Sequence, residues 1–322
     1  MGVSASEQVA GGAGAGPASA SLDGVTAVIV NWETPAYTIK AARALLEDGL
    51  REAQLVIVDN GSKDDSDEQL TREFPAAEVI RLEENIGYAR AANVGARARA
   101  EGNLLFVNND AFVNRPGSLA AMAQALERDP RIGLVTARVL RPDLTVQPTV
   151  VALQTPGVAL VRASGLSRFV PNRWQPSWGT HWDQSSSREI QAVSTVAVLV
   201  RRAAWQQLDG FDEGMYLYAD DLDFCFRVRR GGWKLWLTAD AEFLHIGGGS
   251  TATRWSSPQR REMQGRAEAW MLRRNMSSPA AWASLGFISA GVAGRYLVHR
   301  VAGNRDAADS LRATLRGLWS RA

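Results

Sequence analysis

Apolar residues run through this chain in short continuous blocks. Residues 25–31 read VTAVIVN and residues 54–60 read QLVIVDN. Both runs are β-branched and bounded by polar residues, the pattern of strands buried on both faces of a sheet. A helical stretch over 37–48 follows the first run. A polar turn, GSKDDS, and a helix near 65–73 closed by Pro75 follow the second. AEVIRLEE at 77–84 leads to a third strand and an Ala-rich helix over 88–100, and NLLFVNND at 103–110 forms a fourth strand. Strands alternating with helices at this spacing predict an α/β fold built on a doubly wound, mostly parallel sheet.

Ligands in such sheets bind beyond the carboxyl ends of the strands. Here those ends read Asn31-Trp32-Glu33, Asp59-Asn60-Gly61-Ser62, Glu84-Asn85 and Asn108-Asn109-Asp110. Asn and Asp favour turns, so any single end is explained by turn formation. Four at one sheet edge point to a site for a polar ligand.

The 322 residues are 46% hydrophobic and 22% charged, ordinary globular usage that excludes disordered, collagenous or fibrous classes. No repeat of solenoid or propeller period is present. Cys225 is the single cysteine, which excludes an intramolecular disulfide framework and a cysteine-based zinc cluster and makes a reducing, cytoplasmic compartment the default. Residues 1–22 are small, polar and Gly-rich, without a basic segment before an apolar one; they are expected to form a disordered leader. Their glycines lack the preceding strand that a dinucleotide-binding loop requires.

The formal net charge of +2 conceals an asymmetry: residues 251–322 carry twelve arginines and four acids, a net +8, which leaves residues 1–250 at −6. This basic, helical C-terminal region is read as an appendage to a catalytic body spanning 23–250. Its arginines bracket Trp282, Leu285, Phe287 and Ile288, which favours peripheral contact with an anionic membrane over nucleic acid, for which no motif is present. Between Arg274 and Arg295 twenty residues carry no charge, nominally enough to cross a bilayer. Serines, glycines and Pro279 make a membrane span a poor reading and a helical hairpin, amphipathic or packed on the core, the better one.

Five ordered segments resemble the inverting glycosyltransferases of the family 2 type. They are VIVNWE at 28–33, VDNGSKDDS at 58–66, ENIGYARAANVG at 84–95, FVNNDAFV at 106–113, and LDGFDEGMYLYADDLDFCFRVRRGGWKL at 208–235 followed by LHIGGGST at 244–251. The resemblance implies the nucleotide-sugar-binding fold called GT-A over the catalytic body. It also implies a nucleoside-diphosphate sugar donor, with dTDP-L-rhamnose favoured over UDP-sugars. The acceptor is expected to be a glycan, a polyprenyl-linked sugar or a small molecule, met at the inner face of the cytoplasmic membrane.

By the same resemblance Asp59 reads the uracil or thymine base, a role that competes with a plain turn before Gly61. Asn31, Glu33, Asn85, Gly87, Arg90, Asn108 and Asn109 are further donor contacts. Asn108-Asn109-Asp110 stands where relatives carry an Asp-x-Asp metal motif, so only Asp110 is carried over as a ligand, joined by His245, for Mn²⁺ or Mg²⁺. Asp221 resembles the catalytic base that takes the proton from the acceptor hydroxyl. Asp221, Phe224, Cys225 and Val228 share one helical face, which gives that base an apolar mount. Asp220 is assigned to the helix N-cap or to sugar contacts, with Asp223 as its capping partner or a further sugar contact.

Trp174, Trp178 and Trp182 recur every fourth residue beside Pro176 and Gly179; Trp178 and Trp182 are candidate acceptor-stacking residues, with core packing as the alternative. Arg254-Trp255 follows Thr251 where processive synthases have Gln, so one sugar per encounter is expected. Two rival classes fit the residues less well. A sugar-nucleotide pyrophosphorylase needs a Gly-rich basic loop after the first strand, which Asn31-Trp32-Glu33-Thr34-Pro35 does not provide. A catalytically inactive carbohydrate-binding or scaffold protein on the same fold is opposed by the presence of Asp221 and His245.

Overall fold

The computed structural model describes residues 21–166, 169–170, 182–214, 216–247 and 255–320. Its first half is the expected alternation: β1 (Val25–Asn31), α1 (Pro35–Glu47), β2 (Leu55–Asp59), α2 (Ser66–Glu73), β3 (Glu78–Arg81), α3 (Tyr88–Arg97) and β4 (Asn103–Asn108). β5 (Ala111–Val113), α4 (Ser118–Glu127), β6 (Ile132–Leu140), β7 (Val150–Val151) and α5 (Pro156–Ser164) follow. After them come β8 (Arg188–Ile190), β9 (Ala192–Val193), β10 (Ala197–Val200), α6 (Arg202–Leu208), α7 (Asp220–Arg230) and β11 (Lys234–His245). The chain closes with α8 (Ser257–Asn275), α9 (Ser278–Val301) and α10 (Arg305–Trp319).

The main sheet runs β3-β2-β1-β4-β10-β6-β11-β5, with β8 also paired to β11. β3, β2, β1 and β4 are parallel, because a helix crossover separates each from the next in the chain. β10 lies antiparallel between β4 and β6, and β11 runs parallel to β6. Registers such as Asn31 beside Asp59 bring the polar strand ends to one edge.

Every residue of β2 and nearly every residue of β1 is buried, which is why their sequences carry no alternation. One face of the sheet packs α1, α2 and α4 around Leu45, Leu70 and Met122. The other packs α3, α6 and α7 around an aromatic cluster in which Phe106, Trp205, Phe211 and Phe224 lie 4.8–5.6 Å apart between ring centroids. Each fully buried side chain of this size contributes about 1.5–3 kcal/mol. This cluster fixes α7, whose Phe224, Cys225 and Val228 are fully buried as the helical spacing required.

α5, α8, α9 and α10 enclose a third core around Leu272, Leu285, Ile288 and Leu318. Here the sequence reading needs a correction: Pro279 does not break a hairpin but sits in the first turn of one 24-residue helix, α9. A proline is tolerated there because the first turn has no intrahelical acceptor for its missing N–H. The small residues of α9 serve packing instead: a side chain at Gly291 would meet the Ala163 backbone of α5 at 2.7 Å. No helix among the described residues is long and apolar enough to cross a membrane.

Candidate active site

A cavity of about 420 Å³ opens at the carboxyl edge of the sheet, between the ends of β1 and β4 and the start of α7. Asp110, Asp220, Asp221 and His245 all line it. Asp110 and His245 are far apart in sequence and meet because β5 pairs antiparallel with the end of β11, setting His245 opposite Ala111. Ile246 N–H donates to the Asp110 carbonyl at 3.1 Å, and Gly247 N–H to Asp110 Oδ2 at 3.1 Å. These bonds leave Asp110 Oδ1 facing His245 Nε2 at 3.1 Å.

The second ring nitrogen defines what that pair can do. His245 Nδ1 lies 3.1 Å from Gln147 Oε1, an oxygen with lone pairs only, so Nδ1 carries the hydrogen and donates it. In the neutral ring Nε2 then presents a lone pair to a carboxylate oxygen, an arrangement that repels unless a cation or a proton lies between them. Two ligands held about 2.1 Å from a small divalent cation at right angles stand about 3.0 Å apart, which matches the observed spacing. The chain provides no third His, Cys, Asp or Glu to this pair among the described residues. That donor set, one carboxylate and one imidazole held by a hydrogen-bonded amide, fits an open-sided cation site whose other positions are left to ligand oxygens.

Across the cavity, α7 starts abruptly. Tyr218 and Ala219 both have positive φ, 69° and 62°, a conformation that costs a non-glycine residue about 1 kcal/mol or more. The strain turns the chain so that the first helical turn faces the cleft. Ala219 is the N-cap, so Asp220 is not a cap as its position implied; it is the first helical residue. Burial, with Asp221 beside it, pushes the Asp220 carboxyl up to about 7. Burial also raises Asp221, against the opposing effects of the Leu222 N–H at 2.7 Å and the Ser194 hydroxyl. The Tyr88 phenol on the same wall is raised, by burial first and then by the two carboxylates.

Asp223 is a correction: it is fully buried and makes neither a cap nor a cleft contact. It accepts from Arg227 Nε at 2.7 Å and from Asn275 Nδ2 at 2.7 Å, which ties α7 to α8.

The donor-side residues divide into two layers. Asn85, Gly87 and Asn108 line the cavity. Asn31 and Asp59 lie beneath it, fully buried: Asn31 Nδ2 donates to Asp59 Oδ1 at 2.8 Å, and the Ser62 hydroxyl and N–H donate to the same carboxylate. Asp59 therefore forms the turn that was the competing reading of it. Asn109 is likewise spent on Thr34 Oγ1, at 2.6 Å, and Glu33 takes a positive φ of 51° with its N–H on Ser62 Oγ. Arg90 is exposed and donates to the Glu213 carbonyl at 3.0 Å, away from the cleft.

Trp182 is not in the cleft. It is 8% exposed within the core beneath β7 and β9, with the Arg188 guanidinium 3.4 Å from its ring centre; its apolar ring gains more from that packing than from the surface. Trp174 and Trp178 lie outside the described residues. The sequence reading missed several wall residues: Asn60, Tyr88, Gln147 and Ser194, and the aromatic pair Trp32–Trp255, whose rings lie 5.9 Å apart. Asn60 and Tyr88 stood inside quoted motifs and were legible; Gln147 and Ser194 carry no local signal.

The comparisons with known proteins agree with this geometry. The chain matches the model described as Glycosyl transferase family 2 over residues 26–203, and belongs to that family; a second model, Glycosyl transferase family group 2, matches residues 116–302. It is 30% identical over 209 residues to N-acetylglucosaminyl-diphospho-decaprenol L-rhamnosyltransferase of Mycobacterium tuberculosis, covering 61% of this chain and 67% of that one. Identity to the O-antigen biosynthesis protein RfbC of Myxococcus xanthus is 24% over 200 residues, 60% of this chain and 15% of that one. Among solved structures, a mannosyltransferase of Pyrobaculum calidifontis in complex with GDP-Man and Mn²⁺ superposes with a TM-score of 0.56 at 15% identity, covering 92% and 87% of the two chains. The protein is thus a glycosyltransferase of rhamnosyltransferase-like sequence on a GT-A fold.

Proposed function

We propose that the protein is a metal-dependent, inverting glycosyltransferase that moves one sugar per encounter from a nucleoside diphosphate to an acceptor hydroxyl. The observation that carries this reading is the cavity itself: the carboxylate of Asp221 and the Asp110–His245 pair open on the same space. In the reaction the acceptor hydroxyl attacks the anomeric carbon in line, and Asp221 takes its proton, so the configuration inverts and no covalent enzyme intermediate forms. The raised Asp221 carboxyl is more basic than an ordinary one, as the task requires. The Ser194 hydroxyl and the Leu222 N–H fix its orientation.

Asp110 Oδ1 and His245 Nε2 would hold Mn²⁺ or Mg²⁺, and the cation, when bound, neutralises charge on the leaving diphosphate. Gln147 keeps the imidazole in the tautomer that offers Nε2. The similarity to an L-rhamnosyltransferase supports dTDP-L-rhamnose as donor and a polyprenyl-diphosphate-linked sugar as acceptor. Bacterial cell-wall or polysaccharide synthesis at the inner face of the cytoplasmic membrane is the setting that fits those substrates.

The test is a panel of dTDP-, UDP- and GDP-sugars, with and without Mn²⁺, read by release of the nucleoside diphosphate. Asp221→Asn is expected to bind donor as the parent does and to lose about two to four orders of magnitude of transfer. Normal turnover by that variant would place the base elsewhere.

A further inference from the structure

A second cavity, of about 610 Å³, lies among α5, α8, α9 and α10. Its wall carries Arg162, Arg260, Arg261, Arg295 and His299, and no carboxylate among the described residues. Arg162 is paired with Glu268, but Arg260 and Arg261 lean on neutral groups. Arg260 donates to the Trp255 carbonyl at 3.0 Å, and Arg261 to the Gln264 side-chain oxygen at 3.3 Å. Arg295 has neither an ion-pair nor a hydrogen-bond partner among the described residues; burial first, and then Arg162, hold its guanidinium below the ordinary range.

Cations gathered in a concave wall repel one another, and an anion entering between them reverses that effect. The guanidinium fork matches phosphate oxygens two at a time, and the hydroxyls of Ser257 and Ser310 on the same wall add neutral donors. The last turns of α9 carry Leu297, Val298 and Val301, 61–90% exposed, on the same turns as Arg295 and His299. Apolar side chains beside a cationic mouth are what an interfacial phosphate site presents to a lipid. The chain at the start of α8 contributes to both cavities: Trp255 lines the first and Ser257 the second.

We propose that this second cavity binds the phosphate or diphosphate group of a ligand other than the sugar donor, with Arg260, Arg295 and His299 as its contacts. The proposal is independent of the role given to Asp221 and of the sugar transferred.

The experiment uses the full chain with EDTA present, so that no divalent cation recruits pyrophosphate to Asp110. Calorimetric titration with inorganic pyrophosphate reports the site directly. Arg260→Gln with Arg295→Gln is expected to weaken binding about tenfold or more, the loss of charge-assisted contacts. Its melting temperature, and its metal-supported donor hydrolysis in a separate assay, stay at the parent's level. Flotation with phosphatidylglycerol vesicles and with phosphatidylcholine vesicles then identifies the source. Retention on the anionic vesicles alone, lost in the variant, assigns a lipid headgroup; pyrophosphate binding without retention assigns a soluble phosphate ligand. Either result supports the site. Absence of pyrophosphate binding, or equal affinity in parent and variant, overturns it. If the double variant fails to fold, Arg295→Gln alone, at the exposed rim, gives the same readout.

Discussion

Asp220→Asn is expected to make the protein more stable at neutral and alkaline pH, and the structure sets both sign and size. The Asp220 carboxyl ordinarily titrates near 3.8 and is raised to about 7 by burial and by Asp221. The folded state therefore holds a proton that the unfolded chain has released between those values, so stability falls as pH rises through this window. Below about pH 4 both states are protonated and the effect vanishes. Above about pH 7 the full penalty applies, and the displacement corresponds to an upper limit of about 4 kcal/mol. Solvent at the cavity mouth and the sharing of charge with Asp221 reduce this, so about 1–2 kcal/mol is the expected gain on replacing the carboxylate with a neutral amide. Urea unfolding of parent and variant without metal at pH 4.5 and pH 8 measures it. A variant that is less stable at pH 8, or a gain equal at both pH values, would refute the argument.

Because burial raises the Asp221 carboxyl, kcat/KM is expected to rise with pH through a midpoint above the ordinary carboxylate range; a midpoint near 4 in the parent would contradict it. Gln147→Leu removes the acceptor that fixes His245 and should weaken Mn²⁺ binding about 10- to 100-fold, measured by titration with the paramagnetic ion; unchanged affinity would exclude the tautomer argument. Asn275→Ala leaves the buried Asp223 with Arg227 alone and should cost about 2 kcal/mol in urea, a loss that a merely solvated asparagine would not show. Gly87→Ala combines a φ of +88° with a Cβ 2.3 Å from the Tyr216 carbonyl, so a loss of about 2 kcal/mol or more is expected by thermal melting.

The parallel half of the sheet was readable because β1, β2 and β4 are apolar on both faces, a pattern few other environments produce. The segments that hold Asp110, His245 and Asp221 stood out in the sequence because they resemble family motifs. Their convergence was expected from that resemblance alone and has no local signal, because it depends on β5 reversing onto β11, and β5 is a three-residue strand with no periodicity of its own. Sequence position also failed to separate polar residues that face the cleft from those beneath it. Asn31, Asp59 and Asn109 look like ligands in the sequence and are consumed by Ser62, Thr38 and Thr34 in the fold. Trp182 misled for the opposite reason: four-residue spacing in a Pro- and Gly-containing segment carries no facing information, and burial decided its place.

Composition left the basic C-terminal region open between a membrane-facing appendage and helices packed on the core. Its helices pack against α7. Leu222 and Phe226 on the outer side of α7 pack against the third core, and Asn275 at the end of α8 reaches the buried Asp223. Trp255, just before α8, closes the cavity against Trp32. α8 hides this role because its Arg-rich surface is polar on most sides, while its contact with α10 is made by Gly265 meeting Gly317 at backbone distance. A chain ending near residue 250 would lose the Asn275 partner of Asp223, uncover Leu222 and Phe226, and remove one wall of the cleft. The orientation of Asp220 and Asp221 thus depends on residues more than fifty positions further along the chain, and transfer activity should fall with the stability of the helical core even where no substitution touches the cleft.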